Sequence, residues 1–188
     1  MRLPEISVED LPADQGAVLE AIRSGPRGGK HGPLGLVGPF GVWVRAPAIG
    51  MAIQALGAAA RFESPLADNV MEVAICTVGA FYRAKFEFAA HRNLALSAGV
   101  SAEQLERLRI GDLPIFHGGE DLAYRVATSL LNQHGIDSDT YAAAQAQFGE
   151  QGLIELVSIV GYYGMVSLTL NAFEVPLSAD MEDPFPDE

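Results

Sequence analysis

The sequence predicts an all-α domain. Apolar residues recur at three- and four-residue spacing in segment after segment, helix-start and helix-stop residues bracket those segments, and strand signals are weak, with no clear two-residue hairpin turn. Residues 11–23 form a short amphipathic helix with Leu11, Val18, Leu19 and Ile22 on one face. The stretch SGPRGGKHGPLGLVGPFG, residues 24–41, is too rich in Gly and Pro for helix or strand and reads as a loop over the body. Residues 47–61 make a helix with Pro47 in its first turn. Residues 69–98 make one long helical region, or two helices with a break near Gly79, capped by Asp68 or Asn69 and ended by Gly99.

Further along, Ser101 and Gln104 match a capping box that opens a short helix. EDLAYRVATSLLNQHG is a helix ended by Gly135, and DSDTYAAAQAQFG another, capped by Ser138 or Asp139. LIELVSIVGYYGMVSLTLNAF is a long helix, apolar on nearly every side. Such a helix belongs at the centre of a domain or between subunits. Residues 1–177 form one domain, and residues 178–188 an acidic flexible tail.

Length and composition narrow the function. The 188 residues can enclose a real core, and 49 % of them are hydrophobic, a globular composition. A formal charge of -12 argues against nucleic acid and anionic membrane surfaces, which need clustered Lys and Arg. It leaves room for a small anionic substrate met by one or two local arginines. Cys76 is the sole cysteine, so no internal disulfide and no Cys-rich zinc site can form, which fits a reducing compartment. The N-terminus lacks the apolar core of a signal peptide. The apolar segment 153–175 carries Glu155, Asn171 and Glu174 and reads as a buried helix, not a span. The expected location is the cytoplasm.

The candidate chemistry lies in residues 72–91. Glu87 and His91 are four residues apart, on one helix face. On an unbroken helix Glu72 lies roughly 60° from Glu87, and His91 roughly 40° beyond it, with Cys76 and Arg83 between Glu72 and Glu87. Two readings of this stripe stand side by side. It is a solvent-facing face with an Arg83–Glu87 ion pair, or it is an acid/base pair in a buried pocket, where carboxylates rise in pKa and an imidazole titrates near neutrality. It is not the metalloprotease pattern, which needs two histidines four apart.

The segment MEVAICTVGAFYRAKFEFAAHRNLALSAGVSAEQLERLR resembles the core motif of the carboxymuconolactone decarboxylase and alkylhydroperoxidase D-like superfamily. MEV, FEFAAH and SAGVSAE stand where that motif has its Glu, its Y-E-W-x-x-H and its A-G-V-S/T-x-E, and both flanks of the chain are similar to larger members. The resemblance implies an alkylhydroperoxidase D-like helical fold and a homo-oligomer, trimer or hexamer. In the peroxidase branch two cysteines follow the Glu by twelve and fifteen residues and a His follows by nineteen. Counted from Glu72, these positions hold Ala84, Glu87 and His91. Glu and His are kept, both cysteines are lost, and Cys76 has no partner, so thiol peroxidase chemistry is not expected.

The decarboxylase branch is then the nearer resemblance. It implies His91 as general acid/base, Glu87 and Glu72 orienting it or relaying protons, and a small carboxylated lactone as substrate. No cofactor is needed if the ring carbonyl takes the charge, and the same apparatus suits isomerisation or lactone opening. The rival readings are a redox protein of the peroxidase branch and a non-enzymatic oligomeric binding protein.

GPRGGKHG is one residue short of Walker spacing, has His31 where Ser or Thr belongs, and follows no strand. As a lid the loop brings Phe40, Trp43 and Arg45 to line the site or clamp a carboxylate, although Trp43 serves equally as core. Arg83 and Tyr162 complete the substrate-binding candidates; both tyrosines of Tyr162–Tyr163 need hydrogen-bond partners if buried. His117 reads as a surface residue and His134 as a helix C-terminal residue favoured by the dipole. Arg61 and Glu63 are placed to pair with each other. Glu72, Glu87 and His91 offer too few well-spaced ligands for a metal, and none is expected.

Overall fold

The computed structural model describes residues 1–28 and 35–186. The centre of the 24–41 loop, His31 included, lies outside the described residues. Eight α-helices follow one another: α1 (Ala13–Ser24), α2 (Phe40–Trp43), α3 (Pro47–Phe62), α4 (Asp68–Phe81), α5 (Lys85–Ser97), α6 (Ala102–Ile110), α7 (Gly118–Gln133) and α8 (Ser138–Ala172). A 3-10 turn, Pro26–Gly28, follows α1. No strand occurs among the described residues, so the all-α class holds.

α4 is the axis of the packing. Every residue from Val70 to Gly79 is buried. Helices α5, α7 and α8 pack around it, and α3 leans on α8 and α1. α1 offers Val18, Leu19 and Ile22 to a smaller core with Val44. Several predicted boundaries are kept: Pro47 opens α3, and Ser101 with Gln104 makes both bonds of the capping box.

The break between α4 and α5 falls at Tyr82–Ala84, not at Gly79. Arg83 takes a left-handed φ of 47°, and the Ala84 N–H bonds back to the Gly79 carbonyl at 2.9 Å. Gly79 stays helical and serves packing instead. A Cβ there would stand 3.3 Å from the Phe88 nitrogen, so its absence lets α5 fold back closely on α4. This antiparallel hairpin sets Glu72 of one helix opposite His91 of the other.

α8 joins the two predicted C-terminal helices across a kink at Gly149 (φ 72°, ψ 178°), a conformation that glycine tolerates and L side chains do not. Its start is capped by Asp137, whose carboxylate accepts from the N–H groups of Asp139 and Thr140, rather than by Ser138 or Asp139. The helix is long and apolar enough to cross a membrane by length and composition alone, and 56 % of its most apolar window is buried inside this fold. Ile154, Val157 and Leu168 nevertheless face outward, as do Ile49 and Leu56 of α3.

Residues 183–185 of the expected flexible tail make contacts with the helical body. Phe185 is buried with its ring 5.2 Å from that of Phe88. The Pro184 carbonyl accepts from Arg109, and Lys85 pairs with Asp183 at 2.7 Å. An aromatic residue, a backbone carbonyl and a carboxylate together seat the segment on α5 and α6.

Candidate active site

Glu72, Glu87 and His91 are buried at 2 %, 4 % and 8 % exposure, so the solvent-facing reading of this stripe is set aside. They meet differently from the single-helix projection. Glu87 and His91 share one face of α5, while Glu72 reaches across from α4 because the chain turns at Arg83. His91 Nδ1 lies 2.7 Å from Glu72 Oε2, and His91 Nε2 lies 3.1 Å from Glu87 Oε1. The second contact is an ion pair off the line of a hydrogen bond, and it leaves buried Glu87 Oε1 without a hydrogen-bond partner.

The fourth member is Arg61, from the last turn of α3. Its Nη1 donates to Glu72 Oε1 at 2.7 Å. The expected Arg61–Glu63 pairing is therefore replaced by a link between two helices. Two cations and two carboxylates alternate in the order Arg61, Glu72, His91, Glu87. Such a group can be buried because each charge has an opposite neighbour. Tyr163 of α8 closes one side, its ring 4.9 Å from the His91 ring and edge-on to it.

The electrostatics follow from this order. Burial pushes the His91 imidazole down, but Glu87 and Glu72 outweigh it and raise its pKa to about 9. Burial pushes Glu72 up, but His91 and Arg61 together hold it below the usual carboxylate range. The site therefore holds a charged imidazolium at neutral pH.

A stability prediction follows. His91 has a folded pKa above its unfolded value, so its contribution is complete below about pH 6.5 and is lost as pH rises through about 9. Urea unfolding at pH 6 and pH 9.5 is expected to show a loss on the order of 3 kcal/mol from this group, absent in His91→Asn. Glu72, with its pKa lowered, contributes the opposite dependence, lost only on acidification.

Cys76, one turn after Glu72 on α4, is fully buried. Burial, then Glu72 and Glu87, raise its thiol pKa well above normal, so a thiolate is disfavoured.

The remaining predicted residues divide. Arg83 is corrected: it sits exposed in the turn, and its guanidinium lies over the Phe185 ring at 5.2 Å, away from Glu87. Among the described residues Arg45 bonds to backbone carbonyls and not to His91 or its carboxylates; its Nε and Nη2 donate to the Gly41 and Pro4 carbonyls at 2.9 and 2.6 Å. Phe40, Trp43 and Tyr162 come together. Trp43 lies 5.8 Å from Phe40 and 6.3 Å from Tyr162, and Tyr162 lies 5.1 Å from Tyr163, which touches His91. His117 and His134 are exposed at the two ends of α7.

Sequence reasoning missed Arg61 and Arg27. Arg27, in the 3-10 turn, lies with its guanidinium 5.9 Å from each of the Phe40 and Phe62 ring centres. Among the described residues no cluster of three or more His, Cys, Asp or Glu side chains is arranged to hold a metal ion. At His91 both ring nitrogens already face carboxylates. A surface cleft of about 680 Å³ lies between α7 and α8 around Leu130, Val157 and Leu168, and none of Arg61, Glu72, Glu87 and His91 lines it.

No family model and no curated protein matches the sequence. Solved structures do match in fold. A protein of unknown function from Agrobacterium tumefaciens, ATU0492, provisionally described as the antioxidant defence protein AhpD, aligns at a TM-score of 0.63. The match has 12 % identity and covers 73 % of this chain and 97 % of that one. The debrominase Bmp8, in its apo form, aligns at a TM-score of 0.68 and 12 % identity over 90 % of each chain. The fold is thus the all-helical, AhpD-like fold. At this identity the likeness establishes fold alone.

Proposed function

We propose that this protein is an acid/base enzyme needing no cofactor, acting on a small carboxylated lactone or a related intermediate of aromatic degradation. His91 is its proton donor. One observation carries the reading: a buried imidazole held between two carboxylates, one of them anchored by Arg61. A structural support alone does not call for a charged imidazole with an unaligned carboxylate on its Nε2 side.

In decarboxylation the carbon–carbon bond to the departing carboxylate breaks, and its electron pair moves into the conjugated ring carbonyl as CO₂ leaves. The His91 imidazolium gives its Nε2 proton to the carbon at the far end of that system. Glu72 holds the ring's orientation through Nδ1, Arg61 holds Glu72, and solvent restores the proton by way of Glu87. The same groups serve double-bond isomerisation or lactone opening by water. The names of the two structural neighbours raise a redox alternative, which this chain's thiol fits poorly: Cys76 is sealed, held protonated and without a second cysteine. Self-association as a trimer or hexamer belongs to the reading and is supported by the outward apolar side chains of α3 and α8.

The test is ultraviolet turnover on a panel of carboxylated muconolactones. Wild-type protein is expected to turn over at least one. A folded protein inert toward the whole panel would overturn the lactone assignment in favour of the binding-protein reading.

A further inference from the structure

Each cation in the His91 centre has a carboxylate partner, but Arg27 has none among the described residues. Its guanidinium is half-buried. One Nη donates to the Gln54 carbonyl at 3.1 Å, and the Tyr162 hydroxyl and Arg27 Nη2 both approach Gly57. One of the guanidinium's five N–H donors is so occupied. The Phe40 and Phe62 ring centres each lie 5.9 Å from its Cζ, within cation–π range. Gly57 is what allows this approach to α3, because a Cβ there would collide with the Tyr162 hydroxyl and with Arg27 Nη2. In the same cluster the buried indole N–H of Trp43 has no acceptor. An unneutralised guanidinium, a tyrosine hydroxyl and an orphan indole donor make a cluster of donors short of an anion. It is joined to His91 through the Tyr162 and Tyr163 rings.

The geometry points to Arg27, with Tyr162, as the carboxylate-recognition subsite of the proposed enzyme, an inference that rests on the acid/base reading of His91. A planar guanidinium held by the Gln54 carbonyl and flanked by aromatic rings suits bidentate binding of a carboxylate. The group it binds is one the substrate keeps. A cation on the departing carboxylate stabilises the ground state more than the transition state, whose charge is moving into the ring, and so slows the loss of CO₂. Arg27 therefore positions the substrate while His91 performs the proton transfer.

The test uses a five-membered unsaturated lactone bearing an acetate arm, and its methyl ester. Binding to each is read by quenching of Trp43, the chain's sole tryptophan. Wild type is expected to bind the acid at least about tenfold more tightly than the ester, about 1.4 kcal/mol. Arg27→Gln is expected to lose that preference and Arg27→Lys to keep part of it, with unchanged circular dichroism in both. His91→Asn is expected to keep the preference, since it removes the proton donor and not the anion site. Preference without turnover in wild type leaves the subsite standing and defeats the acid/base reading. No preference in wild type, or a full preference surviving in Arg27→Gln, overturns the subsite.

Discussion

His91→Asn is expected to lower turnover by about 10²–10⁴ while leaving a folded protein, because general acid catalysis by a placed imidazole contributes about that much. Asparagine suits the test better than alanine. Its amide can donate to Glu72 in place of Nδ1, so Glu72 and Arg61 stay paired, but it carries no proton to transfer. The loss should fall on kcat more than on KM, since the imidazolium acts on charge that develops in the transition state. Steady-state kinetics of the two proteins on the best panel substrate measures it. Turnover within a few-fold of wild type would remove His91 from the chemistry.

Glu72→Ala is expected to produce the largest loss of stability at this site, about 3–5 kcal/mol, because it strands two cations at once. Arg61 is largely buried, and its Nη1 bonds to Glu72 Oε1, while His91 Nδ1 bonds to Oε2. Removing the carboxylate leaves a guanidinium and an imidazolium facing each other across a cavity. His91 then loses one of the two charges that raise its pKa, and part of the relief comes by its deprotonation. Urea unfolding at pH 7 gives the cost. A loss below about 1 kcal/mol would mean that the pairs are solvated and weak.

What was legible in the sequence was local. Helix phasing, Pro47 and the Ser101–Gln104 box specify α3 and α6 through contacts within a few residues of each other. The Glu87–His91 spacing is likewise a property of one helix. What was not legible is tertiary. Nothing in the periodicity says that Arg61, eleven residues before Glu72, turns toward it and not toward Glu63. The sequence allows one long helix over 69–98 or a break near Gly79, but that glycine is a packing site against Phe88, and an arginine takes the positive φ. In the sequence Arg45 stands with Phe40 and Trp43 as a residue that lines the site or clamps a carboxylate. It bonds to the Gly41 and Pro4 backbone carbonyls, while Arg27 stands in a Gly/Pro-rich stretch that gives no helical phase. The tail's acidity masked the single phenylalanine that docks it.

The most direct measurement is the titration of His91 by NMR of the ring carbons and nitrogens, with His91→Asn used to assign the signal. The account predicts an imidazolium through neutrality, with a midpoint near 9 that falls when Glu72 is replaced. A midpoint near 6.5, unmoved by Glu72→Gln, would contradict it: the two carboxylates would then not hold a charged proton donor, and the proposed acid would be an ordinary histidine.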